Sequence, residues 1–163
     1  MRAFIAIPLP EETRNFLSNI QDQLKSCGAD VKWVRPQNIH LTLKFLGEIN
    51  ERQLNKINVI LEEVAKNIPP FTVSINSIGA FPSTNFPKVI WAGIQQGDSE
   101  VKIIASELEE RIAEIGIPKE EKTFSSHITI GRRRSGLKMD KLIDGLQKIA
   151  SLAKEQGQEF LTS

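Results

Sequence analysis

Cysteine is almost missing from this 163-residue chain. Cys27 is the only one, which excludes an internal disulfide. A dominant charge is missing too: 21 Lys and Arg stand against 20 Asp and Glu, leaving a net charge of +1. The field of the whole molecule therefore cannot drive binding to nucleic acid, and any anion recognition must come from a local arrangement. No run approaches the roughly 18 apolar residues needed to cross a bilayer. The N-terminus has no charged segment followed by a long apolar signal core, so a cytoplasmic location with no membrane partner is the expectation. No Gly-x-x-x-x-Gly-Lys loop is present, and ATP use has no support. What remains, 40% hydrophobic and 25% charged, is the composition of an ordinary soluble globular protein.

Histidine is nearly as scarce, with two copies, and each opens the same pattern: His40-Leu41-Thr42-Leu43 and His127-Ile128-Thr129-Ile130. Polar and apolar residues alternate with the period of a strand. His40 and Thr42 then share one face, and His127 and Thr129 likewise, while the aliphatic residues anchor the other face in a core.

The rest of the chain frames these motifs. Arg2–Ile7 reads as a buried strand stopped by Pro8 and Pro10. A helix carrying Phe16, Ile20 and Leu24 follows, ending at Cys27-Gly28. Val31–Val34 reads as a short strand, Arg35–Asn38 as a turn and Ile39–Leu46 as the first motif strand. Leu54, Ile57, Leu61, Val64 and Ile68 form a second helical stripe, closed by Pro69-Pro70. Phe71–Ile78 alternates as a strand, Phe81–Pro87 reads as a turn-rich loop with two exposed aromatics, and Val89–Ile94 as a strand. Asp98 or Ser99 is placed to cap a third helix with Val101, Ile104, Leu108 and Ile112. The second motif strand spans about Ser126–Arg132, and a last helix carries Leu142, Leu146, Ile149 and Ala153. Glu159–Ser163 looks like the opening of another strand, which raises the expectation that the chain lacks a terminal strand.

Each half thus reads as strand, helix, motif histidine, at nearly equal spacing. The expected fold is α+β and bilobal: two pseudo-symmetric, mostly antiparallel sheets with helices on their outer faces and a central cleft where the motif strands meet. One domain, residues 1–163, is expected. Parallel doubly wound packing is disfavoured because strands occur in adjacent pairs without an intervening helix.

Paired imidazoles flanked by hydroxyls suit chemistry at a phosphodiester. One imidazole acts as base toward the incoming oxygen and the other as acid toward the leaving oxygen, while Thr42 and Thr129 donate to the non-bridging oxygens. Arg132 is a candidate cation. Strict alternation places it on the face opposite His127, although Gly131 permits a bend. Lys44 shares the face of His40 and Thr42 by the same alternation and is a candidate cleft residue. Phe81 and Phe86 could stack on a terminal base or simply pack, whereas core packing is the expected role of Trp33 and Trp91. The run Arg132-Arg133-Arg134 with Lys138 and Lys141 reads either as a site for upstream phosphates or as a solvated turn. Zinc usually needs three or four protein ligands, and two histidines with a remote cysteine do not supply them, so no metal is expected. Cys27, beside Gly28 at a helix end, is a poor nucleophile.

The stretches Arg2–Ile7, Trp33–Gly47, Gly79–Pro82 and Ser126–Arg132 resemble the two-histidine (2H) phosphoesterase superfamily, and most closely its RNA 2′,3′-cyclic phosphodiesterase branch, also called the 2′-5′ RNA ligase family. The resemblance implies metal-independent opening of a 2′,3′-cyclic phosphate at an RNA 3′ end or on a nucleotide, leaving a 2′-phosphate, with no cofactor. By that analogy His127 is the proton acceptor, His40 the proton donor, and Thr42, Thr129 and Arg132 hold the phosphate. Residue chemistry alone does not divide these two roles, because the motifs are near equivalents. Reversible 2′-5′ ligation of RNA ends, or a non-catalytic module that binds RNA ends or nucleotides, are the alternatives. A monomer is the expected state.

Overall fold

In the computed structural model, which describes residues 1–155 and 158–162, the chain runs β1 (Arg2–Pro8), α1 (Glu11–Lys25), β2 (Val31–Trp33), a 3₁₀ turn (Pro36–Asn38), β3 (His40–Glu48), α2 (Glu51–Lys66), β4 (Thr72–Ser83), β5 (Phe86–Ile94), α3 (Asp98–Ala113), β6 (His127–Arg133), α4 (Met139–Glu155) and β7 (Gln158–Leu161). β1 and β3 form a two-stranded sheet, and the other strands form a five-stranded sheet in the order β2-β6-β5-β4-β7. Every pairing is antiparallel, as expected for the α+β fold.

Local sequence accounts for most of the elements. α1 buries Leu17, Ile20 and Leu24 on one stripe, with Glu11 and Glu12 at its N-terminus and Lys25 at its C-terminus, each matching the sign of the helix dipole. α2 opens with a capping box: Asn50 Oδ1 accepts from the Gln53 amide at 2.8 Å, and Gln53 Oε1 accepts from the Asn50 amide at 3.0 Å. Such a cap contributes about 1 kcal/mol. α4 buries Leu142, Leu146 and Ile149 as its periodicity predicts; the side chain of Ala153 lies outside the described residues. The strand read from Glu159 onward is β7, which pairs with β4, and Ser163 lies outside the described residues.

Two local expectations are corrected. Phe81–Pro87 is not a long loop: β4 extends to Ser83 and β5 starts at Phe86, leaving a two-residue turn. Ser83 Oγ accepts from the Phe86 amide at 3.2 Å, and the two prolines sit opposite one another near the strand ends, where their missing donors cost little. Neither Asp98 nor Ser99 caps α3. Gly97 occupies the cap position with φ 87°, and a Cβ there would come within 2.7 Å of the Thr72 carbonyl oxygen.

The two sequence halves exchange parts. β2 comes from the first half but lines the edge of the larger sheet beside β6. α1 packs on α4, and these two helices lie over the larger sheet; α3 packs on α2 and against β3. Each half lends the other a helix. An apolar stripe needs only an apolar surface, and the stripe itself does not say which sheet supplies it. The shared core joins Ile5, Leu41 and Leu43 to Ile90, Ile128 and Ile130, all buried. No helix among the described residues is long and apolar enough to cross a membrane.

Candidate active site

Both motif strands carry a β-bulge at the same place. On β3, Ala6 pairs with Thr42 and Ile5 with Lys44, so Leu43 is the extra residue. On β6, Trp91 pairs with Thr129 and Ile90 with Gly131, so Ile130 is the extra residue. A bulge puts two residues opposite one and resets the alternation beyond it. The burial pattern follows: His40 and Thr42 are half-buried, Leu43 and Lys44 are both buried, and Phe45 is exposed. On β6, Ile130 and Gly131 are both buried and Arg132 is exposed. The bulge thus turns Arg132 onto the face of His127 and Thr129, which strict alternation does not allow.

The same device removes Lys44 from the cleft, correcting its reading as a cleft residue. Its side chain is 1% exposed. Nζ donates to Glu109 Oε1 of α3 at 2.5 Å and to the Pro118 carbonyl at 3.3 Å. Glu109 Oε2 accepts from the Glu120 amide at 2.9 Å, and Glu120 Oε1 accepts from the Phe45 amide at 3.0 Å. These four bonds tie the first motif strand to α3 and to the segment leading into the second motif. β3 in turn packs beside β6 without joining its sheet.

His40 is half-buried beneath an aromatic ring. Phe4 of β1, itself 49% exposed, stacks on the imidazole at 4.6 Å between centroids with an interplanar angle of 15°. Stacking on one face fixes the ring plane while leaving the other free.

His127 is enclosed differently. Phe81 meets it edge-on at 5.0 Å, and Trp91 lies 6.3 Å away. The Trp91 indole lies across Gly79, where a Cβ would be 2.5 Å from the ring. Burial lowers the affinity of His127 for a proton, the Ser125 backbone partly offsets this, and the positive charge of Arg132 lowers it further. Nδ1 is buried without a partner in hydrogen-bonding geometry. Next to His127, Ser126 Oγ donates to Asp98, whose carboxyl is held below its usual range by that bond and by Lys102 at 2.9 Å.

The three arginines of the basic run go to three places. Arg132 faces the site. Arg133 donates through Nε to the Pro87 carbonyl and lies over the Phe86 ring, 5.1 Å from its centroid. Arg134 turns toward Asp30 at 4.0 Å. Phe86 packs beneath the Lys88 and Arg133 cations, while Phe81 of the same hairpin meets His127. Trp33 packs over Gly131, as expected of a core residue.

Residue reasoning missed Phe4, Glu109 and Gln21. Gln21 is buried, and its amide donates to the carbonyls of Val34 at 2.8 Å and Ile130 at 2.9 Å, holding the bulged residue of β6 in place. A polar residue inside the apolar stripe Leu17-Ile20-Leu24 was its signal. Phe4 and Glu109 had none, since their partners are distant in sequence.

Two cavities adjoin this region. One of about 290 Å³ borders His127 and is lined by Ser77, Trp91, Gly93, Asp98 and Lys102 among others. The larger, about 680 Å³, is bounded mainly by apolar residues such as Ile5, Leu43, Val64 and Leu108 and includes neither histidine. Among the described residues, no group of three or more His, Cys, Asp or Glu side chains is arranged to hold a metal ion.

Two bulged strands, each with a histidine and a threonine on one face, thus lie side by side, and comparison with known proteins shows the family to which such a chain belongs. The family model described as LigT-like phosphoesterase matches residues 7–91. The RNA 2′,3′-cyclic phosphodiesterase of Methanothermobacter thermautotrophicus is 35% identical over 88% of this chain and 77% of its own. Among solved structures, TT0787 of Thermus thermophilus superposes with a TM-score of 0.75 and 32% identity, covering 83% of this chain and 75% of that one. Escherichia coli LigT complexed with 3′-AMP gives a TM-score of 0.68 at 29% identity, covering 82% and 74%. The chain belongs to the LigT-like phosphoesterase family.

Proposed function

We propose that this protein is an RNA 2′,3′-cyclic phosphodiesterase, the activity for which its curated relatives are named, and that it opens the ring by paired histidine acid-base catalysis without a metal. The observation that carries this reading is the matched pair of bulged strands, each presenting histidine and threonine on one face. His127 takes a proton from the attacking water as the new P–O bond forms. The bond from phosphorus to the 3′ oxygen breaks, and His40 protonates that oxygen, leaving a 2′-phosphate. Burial lowers the proton affinity of His127 and so favours the unprotonated form that a base requires. Thr42 and Thr129 donate hydrogen bonds to the non-bridging oxygens, and Arg132 balances the developing charge. Phe81, beside His127, offers a surface to the terminal nucleoside.

The test is incubation, in EDTA, with an oligoribonucleotide ending in a 2′,3′-cyclic phosphate. Conversion to the 2′-phosphomonoester is expected. An unchanged substrate, or turnover that needs added metal, overturns the reading.

A further inference from the structure

The site face of the larger sheet continues past the histidine. Residues directly opposite on neighbouring antiparallel strands point to the same side, and four such positions line up: Lys32 of β2 pairs with Arg132 of β6, Arg132 with Val89 of β5, and Val89 with Phe81 of β4. This row crosses the sheet beyond the pair containing His127, and the bulge at Ile130 is what brings Arg132 into it. Lys32 and Arg132 are exposed, and neither joins an ion pair among the described residues. The other two arginines of the run are engaged elsewhere, with Pro87 and Asp30. Phe81, 39% exposed, ends the row and touches His127. Two free cations side by side, in one row with an exposed aromatic ring that touches His127, form the combination that tracks a single-stranded polynucleotide.

We infer that Lys32 and Arg132 form a phosphate track for the nucleotides upstream of the reacting end, so that this enzyme acts on oligoribonucleotides in preference to mononucleotides. The inference rests on the proposed cyclic phosphodiesterase activity. Arg132 reaches from the track toward the reacting phosphate, and Lys32 beside it meets the next phosphate along the chain. With a net charge of only +1, selectivity for length must arise from such a local pair.

The test compares a nucleoside 2′,3′-cyclic monophosphate with a short oligoribonucleotide carrying the same end, over a series of salt concentrations. The expected result is a higher kcat/KM for the oligomer, an advantage that shrinks with salt. Each single-strand phosphate contact contributes a slope of about −0.7 in log K against log salt. Lys32→Gln should lower kcat/KM for the oligomer several-fold, reduce its salt slope by about one contact and change the mononucleotide far less, while Lys32→Arg restores the oligomer rate. Equal kcat/KM for the two substrates at low salt, or equal losses on both in Lys32→Gln, overturns the track. Hydrolysis of neither substrate refutes the activity instead. The track is then judged by binding of an oligoribonucleotide ending in a 3′-phosphate: a salt slope that Lys32→Gln reduces upholds it, and one that Lys32→Gln leaves unchanged refutes it.

Discussion

β3 and β6 carry the same tetrapeptide pattern and the same bulge, but the residue after the bulge is Lys44 in one and Gly131 in the other. Lys44 is buried in an ion pair with Glu109, whereas Gly131 leaves room for the Trp33 ring, 2.8 Å from where a Cβ would stand. The histidines differ in the same way: His40 lies under the flat face of Phe4, and His127 sits in a desolvated corner against the edge of Phe81. A repeated strand geometry thus supplies matching functional groups, and unlike surroundings make them unequal.

The largest effect comes from removing the groups the strands share. His40→Ala and His127→Ala should each lower kcat by about 10²–10⁴-fold, measured on a cyclic-phosphate oligonucleotide. Full activity in either variant breaks the equivalence of the two strands.

Next come the residues after the bulges. Lys44→Met leaves Glu109 without its partner and should cost about 3 kcal/mol in urea unfolding. The double variant Lys44→Met with Glu109→Leu should recover part of that loss, since removing both charges leaves none uncompensated. Gly131→Ala should cost about 1–3 kcal/mol by overpacking against Trp33. A neutral Lys44→Met would show that the buried pair does not anchor β3.

A smaller effect is read at His127, in the dependence of stability on pH. The native pKa of His127 is depressed by burial, so below the ordinary histidine range the unfolded chain takes up a proton that the native protein resists. Stability should therefore fall as pH drops through that range and level off below the native pKa, and His127→Gln should remove this component. An NMR titration of His127 at or above the value for free histidine would contradict it.

The smallest change is expected from Phe4→Leu. Aromatic pairs contribute about 0.5–1.5 kcal/mol beyond area burial, so a loss of a few-fold in kcat is expected, with recovery in Phe4→Tyr. Unchanged turnover would show that the stacking does not orient His40.

Most elements and both histidine-threonine pairs were legible because they depend on residues close in sequence. Leu17, Ile20 and Leu24 announce a helix, and His-x-Thr between aliphatic residues announces a half-buried strand. The fate of the two cations was not legible. Alternation placed Lys44 in the cleft and Arg132 outside it, and a single extra residue in each strand reversed both. Phe81 and Phe86 looked alike in sequence, but tertiary packing set Phe81 against His127 and Phe86 beneath the Lys88 and Arg133 cations.

By itself, then, the amino-acid sequence determined which chemical groups are present, the strands and helices that carry them and the absence of a dominant charge, because composition and local periodicity act over a few residues. Only the tertiary structure decided which face each cation takes, which half's helix covers which sheet and that burial lowers the proton affinity of His127. Those outcomes depend on bulge register and burial, which arise when distant segments such as Gln21 and Ile130, or Lys44 and Glu109, meet.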